Sequence, residues 1–118
     1  MSLSESLHKQ ISELVAQNRV VLFMKGTRSM PQCGFSAQVV KILDALVPDY
    51  ATVDALRSTE LRDGIKVFSQ WPTIPQLYID GQFIGGCDIV NELNACGELQ
   101  TLLSGDLRTL LGVQVQGA

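Results

Sequence analysis

The sequence predicts an α/β fold in which a four-stranded mixed sheet is flanked by helices on both faces. An apolar run at 20–25 predicts a buried strand, and a helical pattern and a second short strand follow it. Two alternating segments on either side of Asp80 and Gly81 predict a β-hairpin. Because further helical patterns precede, separate and follow these strands, the expected element order is α-β-α-β-α-β-β-α-α.

The first helix, strand and loop are predicted from local patterns. Residues 3 to about 18 carry apolar side chains at helical spacing, and Ser2 with Glu5 is expected to form a capping box. The strand at 20–25 follows directly. The loop at 26–32 comes next, because glycine and proline interrupt the pattern there.

The middle of the chain predicts a helix, a strand and another helix. A helix is expected from about residue 34 to residue 47, ended by the proline that follows, and a short strand at 50–53. The connection between the two parallel strands is expected to be right-handed. A helix at 58–70 is predicted to end at Trp71-Pro72, because proline disfavours helix at the preceding residue.

The last third of the chain predicts the hairpin and two helices. The hairpin strands are expected at 76–79 and 82–84. Asp88 is expected to cap a helix at 89–95, which Gly97 ends. A final helix, broken at Gly105, is indicated by leucines at helical spacing: Leu99, Leu102, Leu103, Leu107 and Leu110.

Length and charge limit the classes of protein that remain. A chain of 118 residues, 46% of them hydrophobic, predicts one domain over 1–118, with a core at about 5–104 and a tail at about 105–118. The net charge is −3 and no basic run occurs, which argues against nucleic acid as a partner. No apolar stretch approaches the roughly 20 residues that cross a bilayer, so no membrane association is expected.

The cysteines and the N-terminal residues predict a reducing compartment. Three cysteines at irregular spacing do not form a disulfide framework. The first residues show no basic leader followed by an apolar block. The expected location is the bacterial-type cytoplasm, or an organelle matrix or stroma if a transit peptide has been removed.

Cys33 is the candidate reactive residue. It lies where the loop after the first strand meets the start of the second helix, and the unpaired N–H groups and positive dipole of a helix N-terminus favour a thiolate. The alternative is a buried structural cysteine, but the neighbouring Pro31, Gln32 and Gly34 are typical of a loop. Ser36 stands where a dithiol site would carry its second cysteine, so this site has one thiol.

Three motifs in order resemble the monothiol glutaredoxins of the CGFS type, which belong to the thioredoxin-like superfamily. They are the CGFS tetrapeptide at 33–36, the segment Trp71 to Ile79, which resembles WPT-x-PQLY, and Gly85 to Asp88, which resembles GG-x-D. The resemblance extends from about residue 5 to about residue 104. The long loop before Cys33 also resembles the monothiol type, because dithiol glutaredoxins have a shorter one.

The resemblance implies a catalytic thiol and a glutathione site. Cys33 is the implied catalytic residue and the implied ligand of a [2Fe–2S] cluster shared with a second subunit. A cis proline at Pro75 would leave the Ile74 backbone open to pair with glutathione, although an ordinary trans proline is the alternative. The implied glutathione-binding residues are Lys25, Cys33, Phe35, Arg62, Thr73, Ile74, Pro75, Gly86, Cys87 and Asp88.

The roles of the charged residues follow from their chemistry and from the family. Lys25 and Arg62 are implied to bind a glutathione carboxylate, and an ammonium near Cys33 would lower its pKa. Alternatively, both are ordinary surface charges. Asp88 and the backbone N–H groups beside it suit the γ-glutamyl end, which carries both charges, although Asp88 is equally expected as a plain helix cap. Cys87 is implied to vary in role within the family, where it is sometimes a resolving thiol.

Two functions of different classes are predicted. The first, implied by the resemblance, is a carrier that holds a [2Fe–2S] cluster in a homodimer with glutathione and passes it to acceptor proteins, with BolA-like proteins as partners. The alternative is a glutathione-dependent thiol–disulfide oxidoreductase, for which one thiol suffices. A zinc site built from Cys33, Cys87, Cys96 and His8 is a third hypothesis, but the paired spacing of such sites is lacking. Cys96 is otherwise interpreted as structural.

Overall fold

A computed structural model describes residues 3–104 of the chain. Its element order agrees with the order predicted from the sequence, with one short 3₁₀ helix added at Ala55–Arg57. The elements are α1 (Glu5–Gln17), β1 (Val20–Met24), α2 (Gly34–Leu46), β2 (Ala51–Asp54), α3 (Thr59–Ser69), β3 (Gln76–Ile79), β4 (Gln82–Gly85), α4 (Cys87–Cys96) and α5 (Glu98–Ser104).

The four strands form one mixed sheet in the order β2-β1-β3-β4. β1 pairs in parallel with β2 and antiparallel with β3, and β3 forms a hairpin with β4. The hairpin turn places both Asp80 (φ 52°) and Gly81 (φ 80°) in the left-handed region, the conformation that a tight two-residue turn requires. The mixed sheet predicted from the sequence is therefore confirmed.

β1 is buried on both faces and divides the core into two layers. Leu22 and Met24 lie in a cluster with residues of α2, α4 and α5 on one face. Val21 and Phe23 lie in a second cluster with residues of α1 and α3 on the other face. Since successive side chains of a strand point to opposite faces, one continuous apolar strand serves both layers. The predicted thioredoxin-like arrangement, with helices on both faces, is confirmed.

The N-cap of the first helix differs from the sequence prediction, and the end predicted for the last helix lies outside the described residues. Ser4 is the N-cap of α1, and its hydroxyl accepts a hydrogen bond of 3.1 Å from the Leu7 N–H, so Ser4 takes the capping role expected of Ser2. Ser2 itself lies outside the described residues. The last described helix is α5, and the predicted break at Gly105 and the leucines beyond it also lie outside them.

Two further helix boundaries rest on backbone conformation. α3 ends one residue before Gln70, which adopts the left-handed conformation (φ 56°) and donates its N–H to carbonyls of the last turn. α4 begins at Cys87 and is capped by Gly86, so the prediction that Asp88 is the N-cap is wrong. Asp88 lies in the first turn instead, where its charge still complements the helix dipole.

Among the helices of residues 3–104, none combines the length and the apolar content that a membrane span requires.

Candidate functional site

Cys33 is the N-cap residue of α2 and is partly exposed. Its backbone is extended (φ −148°, ψ 136°), as is usual for the residue that caps a helix N-terminus. A hydrogen bond from the Ser36 backbone N–H is the largest cause that lowers the pKa of the Cys33 thiol. The Phe35 N–H, the charge of Lys25 and the Ser36 hydroxyl lower this pKa further, while partial burial opposes them. The arrangement therefore favours a thiolate.

Ser36 does more than occupy the place of a second cysteine. Its side chain is completely buried, and its hydroxyl oxygen accepts a hydrogen bond of 3.1 Å from the backbone N–H of Lys25. The same hydroxyl also helps to lower the pKa of the Cys33 thiol. Ser36 thus connects the residue after β1 to the first turn of α2 and to the thiol. The sequence identified Ser36 only as a missing cysteine.

The loop before Cys33 is held by its own hydrogen bonds. Thr27 and Met30 bond each other through their backbones, at 3.2 and 3.0 Å, and the Gln32 N–H donates to the Lys25 carbonyl at 2.8 Å. Gly26, with φ 91°, tolerates no side chain, because a Cβ would lie 2.6 Å from backbone atoms of the loop. The loop therefore delivers Cys33 to α2 in a defined conformation.

The tip of this loop is attached to α2 and to the chain that follows it. The Arg28 guanidinium lies 4.3 Å from the centre of the Tyr50 ring, and its Nε donates to Asp44 at 2.9 Å. The Tyr50 hydroxyl donates to the same carboxylate at 2.8 Å. Burial and this hydrogen bond to Asp44 raise the pKa of Tyr50. These contacts were not expected from the sequence, because they join residues from three separate segments.

A cavity of about 200 Å³ lies beside the start of α2 and contains most of the predicted glutathione-binding residues. The Ile74–Pro75 peptide bond at its wall is cis, as the resemblance implied. Two lining residues, Trp71 and Ile89, were not among the predicted site residues. The cavity is lined by Phe35, Trp71, Thr73, Pro75, Gly86, Cys87, Asp88 and Ile89.

Trp71 and Gly86 shape the wall of this cavity. The Trp71 indole Nε1 is buried and has no hydrogen-bond partner within residues 3–104. A Cβ placed on Gly86 would lie 3.2 Å from both this Nε1 and the Pro75 carbonyl oxygen. A buried donor without an acceptor is costly, so a ligand that supplies an acceptor here would be stabilised.

The remaining predicted residues do not line the cavity. Lys25 acts on Cys33 through its charge, and Ile74 is buried with 4% of its surface exposed. Arg62 is on α3, and its Nε lies 3.7 Å from its neighbour Asp63 in an exposed ion pair. The joint action of Lys25 and Arg62 on a carboxylate therefore stays a prediction.

Cys87 is the first residue of α4 and is 9% exposed. Its thiol donates to the Gln38 Oε1 at 3.5 Å and accepts a hydrogen bond from the Asn91 Nδ2 at 3.6 Å. Burial is the largest cause that raises the pKa of the Cys87 thiol, and the charge of Asp88 and the nearby Cys33 raise it further, while the hydrogen bond from Asn91 lowers it. The pKa of the Cys33 thiol is thus lowered, whereas the pKa of the Cys87 thiol is raised.

The predicted zinc site is not formed. Cys87 and Cys96 are the first and last residues of α4, about 13 Å apart along its axis. His8 is exposed on α1 and stacks against Phe68 with ring centres 5.2 Å apart. Within the described part of the chain, no three cysteine, histidine or acidic side chains gather closely enough to hold a metal ion. Cys96 is exposed rather than packed in the core.

The family is decided by comparison with known proteins. The family model described as Glutaredoxin matches residues 20–84, which include β1, the Cys33 loop, the cis proline and most of the hairpin. The chain belongs to the glutaredoxin family. A monothiol glutaredoxin of Synechocystis, itself described as uncharacterized, is 54% identical over 94 residues, which are 80% of this chain and 88% of that protein.

Solved glutaredoxin structures agree with this fold. The solution structure of reduced poplar apo GrxS14 superimposes with a TM-score of 0.77 at 48% identity and covers 91% of this chain and 98% of its own. A buckwheat glutaredoxin, solved in complex with glutathione, superimposes with a TM-score of 0.73 at 28% identity and covers 86% of this chain and 94% of its own. The chain is accordingly a monothiol glutaredoxin with a thioredoxin-like fold.

The opposite pKa shifts of the two thiols predict different pH dependences for their alkylation. The Cys33 pKa is lowered, so its reaction with iodoacetamide should persist at pH values below the range of an ordinary thiol. The Cys87 pKa is raised, so its reaction should begin only above that range. Peptide mass spectrometry after timed alkylation would measure both rates in one sample, with Cys96 as the exposed reference. Coincident profiles for Cys33 and Cys87 would contradict the prediction.

Proposed function

We propose that this glutaredoxin binds glutathione and a bridging [2Fe–2S] cluster as a homodimer and delivers the cluster to acceptor proteins. The observation that supports the proposal is a single thiol at a helix N-terminus, with its pKa lowered, beside a cavity of about 200 Å³. Thiolates are the usual protein ligands of iron–sulfur clusters. Ser36 removes the neighbouring thiol that would otherwise close a disulfide with Cys33.

Glutathione fits the chemistry of the cavity. The N-terminus of α4, with Gly86 as its cap, presents backbone N–H groups that suit a carboxylate, and Asp88 suits an ammonium. The γ-glutamyl end of glutathione carries both charges. The buried indole N–H of Trp71 offers a donor for a peptide carbonyl or carboxylate oxygen. The buckwheat glutaredoxin solved with glutathione supports the same ligand.

The exposed surface beside Cys33 suits contact with another protein. Met30 and Phe35 flank the thiol in sequence and are 67% and 62% exposed. Large exposed apolar side chains are common where proteins associate. They support a second copy of the chain when the cluster is bound, and acceptor proteins or BolA-like partners at the same face. The proposed compartment is a bacterial-type cytoplasm, or an organelle matrix or stroma if a transit peptide has been removed.

The second candidate function is removal of glutathione from mixed disulfides. Cys33 would attack the glutathione sulfur of a substrate, and a second glutathione would release the enzyme. The lowered pKa of Cys33 favours this step as well. Both functions use the same thiolate, so geometry at Cys33 does not separate them.

Absorbance of anaerobically purified protein separates the two functions. We expect a brown protein with charge-transfer bands in the visible range, and a dimer by size-exclusion chromatography. The matched sample is the same protein treated with a chelator, which should be colourless and smaller. A colourless preparation that stays without a cluster after reconstitution with iron, sulfide and glutathione, yet deglutathionylates rapidly, would favour the oxidoreductase.

The predicted carboxylate clamp gives a graded test of the glutathione site. Replacing Lys25 or Arg62 with alanine should weaken the binding of glutathione during cluster assembly by about 1–3 kcal/mol each, the range for hydrogen bonds to charged groups. A titration of glutathione during reconstitution measures the midpoint. Lys9, an exposed residue of α1, provides the control substitution Lys9→Ala. Unchanged midpoints in both clamp variants would eliminate the clamp.

A further inference from the structure

A closed ring of hydrogen bonds joins α2 to α4 beside the cavity. The Cys87 thiol donates to the Gln38 Oε1 at 3.5 Å, the Gln38 Nε2 donates to the Asn91 Oδ1 at 3.1 Å, and the Asn91 Nδ2 donates to the Cys87 sulfur at 3.6 Å. Each amide donates one hydrogen bond and accepts one, so the three hydrogen bonds all run in the same direction around the ring. The thiol proton consequently has a fixed acceptor.

The ring separates two surfaces of the molecule. Cys87 lines the cavity of about 200 Å³, and Cys33, which does not itself line the cavity, lies near enough for its charge to raise the Cys87 pKa. Gln38 and Asn91 line the opposite side, an open groove of about 690 Å³ between α2 and α4. The sulfur of Cys87 therefore forms its hydrogen bonds where α2 meets α4, although the residue itself borders the cavity. Neither the sequence motifs nor the family model assigns a role to Gln38 or Asn91.

We propose that Gln38 and Asn91 are positioning residues that hold Cys87 as a hydrogen-bonded neutral thiol, so that Cys33 is the only thiol of the site that reacts with glutathione-linked substrates. Gln38 supplies the acceptor that retains the proton, and Asn91 fixes the orientation of the Gln38 amide. The inference rests on the proposed function only in taking Cys33 as the reacting thiol.

The reaction that the ring suppresses can be written explicitly. Oxidised glutathione first reacts with the Cys33 thiolate, which yields a Cys33–glutathione disulfide and one glutathione thiolate. Cys87 would then lose its proton to solvent and attack the Cys33 sulfur. The bond from Cys33 to glutathione breaks, a bond from Cys33 to Cys87 forms, and glutathione leaves as its thiolate. This second step requires Cys87 to lose the proton that it donates in its hydrogen bond to Gln38.

The test compares two substitutions of similar size at Gln38. Gln38→Met removes the acceptor and the donor, whereas Gln38→Glu keeps an acceptor oxygen, loses the donor to Asn91 and adds a negative charge beside Cys87. Gln38 is exposed, so neither substitution disturbs the core. The full-length protein without cluster is treated with iodoacetamide at neutral pH, and separately with oxidised glutathione. Site-resolved mass spectrometry then follows Cys87 alkylation and the Cys33–Cys87 disulfide, with Cys96 as the internal reference.

We expect Gln38→Met to accelerate both reactions of Cys87 about three- to tenfold, the range that one hydrogen bond allows. Gln38→Glu should leave both at or below the wild-type rate, because the added negative charge also disfavours the Cys87 thiolate. Wild-type rates in Gln38→Met would overturn the proposal. Equal acceleration in both variants would also overturn it, because loosened packing and not the acceptor would then be responsible. Neither readout involves a cluster, so failure of the carrier function would leave this result intact.

Discussion

Replacing Cys33 with serine is expected to abolish cluster binding and deglutathionylation together. Both functions need a thiolate at the start of α2, and a serine hydroxyl does not ionise at physiological pH or bind iron in place of sulfur. Cys33 is the N-cap residue of α2, and serine is a preferred residue at that position. The variant should therefore be at least as stable as the wild type, so a loss of function will not reflect unfolding.

The measurement uses iron content, visible absorbance and mixed-disulfide turnover on the same preparations. Cys96→Ser is the matched control, because Cys96 is an exposed thiol at the far end of α4 and should not affect any of these quantities. A denaturant midpoint for each variant verifies the fold. Cluster bound to Cys33→Ser at the wild-type level would show that another residue is the ligand, and the assignment of Cys33 would then be wrong.

The fold could be predicted because its strongest signals are local. β1 is a continuous apolar segment, and Asp80-Gly81 specifies a tight turn by itself. Helix boundaries were less predictable where backbone conformation, not side-chain type, decides them. Gln70 ends α3 in the left-handed region without being glycine, and Gly86 caps α4 although the neighbouring Asp88 has the better capping side chain.

The candidate site was predictable only in the parts that a short motif contains. Cys33 and the cis Pro75 each lie inside such a motif. The contacts that adjust the chemistry connect distant segments: Ser36 reaches Lys25, and Cys87 reaches Gln38 from another helix. The spacing of apolar residues in the sequence predicts strands and helices, but it does not show which polar side chains meet where two of these elements pack together. Trp71 was likewise recognised as part of a motif, but its unpartnered indole N–H is a property of the folded cavity.

The second large effect concerns the ligands that complete the cluster. A [2Fe–2S] cluster takes four thiolates, and each chain offers a single exposed, activated one in Cys33. Two chains supply two sulfurs, so two further thiolates must come from glutathione or from Cys87 of each chain. Cys87 is 9% exposed, and its thiol donates a hydrogen bond to Gln38 and has a raised pKa. Glutathione is therefore the expected source.

Anaerobic reconstitution of the wild type and of Cys87→Ser, each with and without glutathione, tests this assignment. We expect a cluster-containing dimer only when glutathione is present, and nearly the same yield from both proteins, because Cys87 contributes no ligand. Visible absorbance reports the cluster and size-exclusion chromatography reports the dimer. Cys96→Ser, measured in parallel, controls for the loss of any thiol.

The alternative ligand set makes the opposite prediction in two of the four samples, the wild type without glutathione and Cys87→Ser with it. If Cys87 completed the cluster, the wild type would assemble it without glutathione, and Cys87→Ser would lose it whether or not glutathione was added. A cluster held entirely by protein thiolates would also survive removal of glutathione by gel filtration. A cluster held partly by glutathione should be lost on the same treatment, since two of its four ligands then dissociate with the small molecule. That lability is what a protein that hands its cluster to others requires, and a glutathione-independent cluster lost in Cys87→Ser would overturn the assignment.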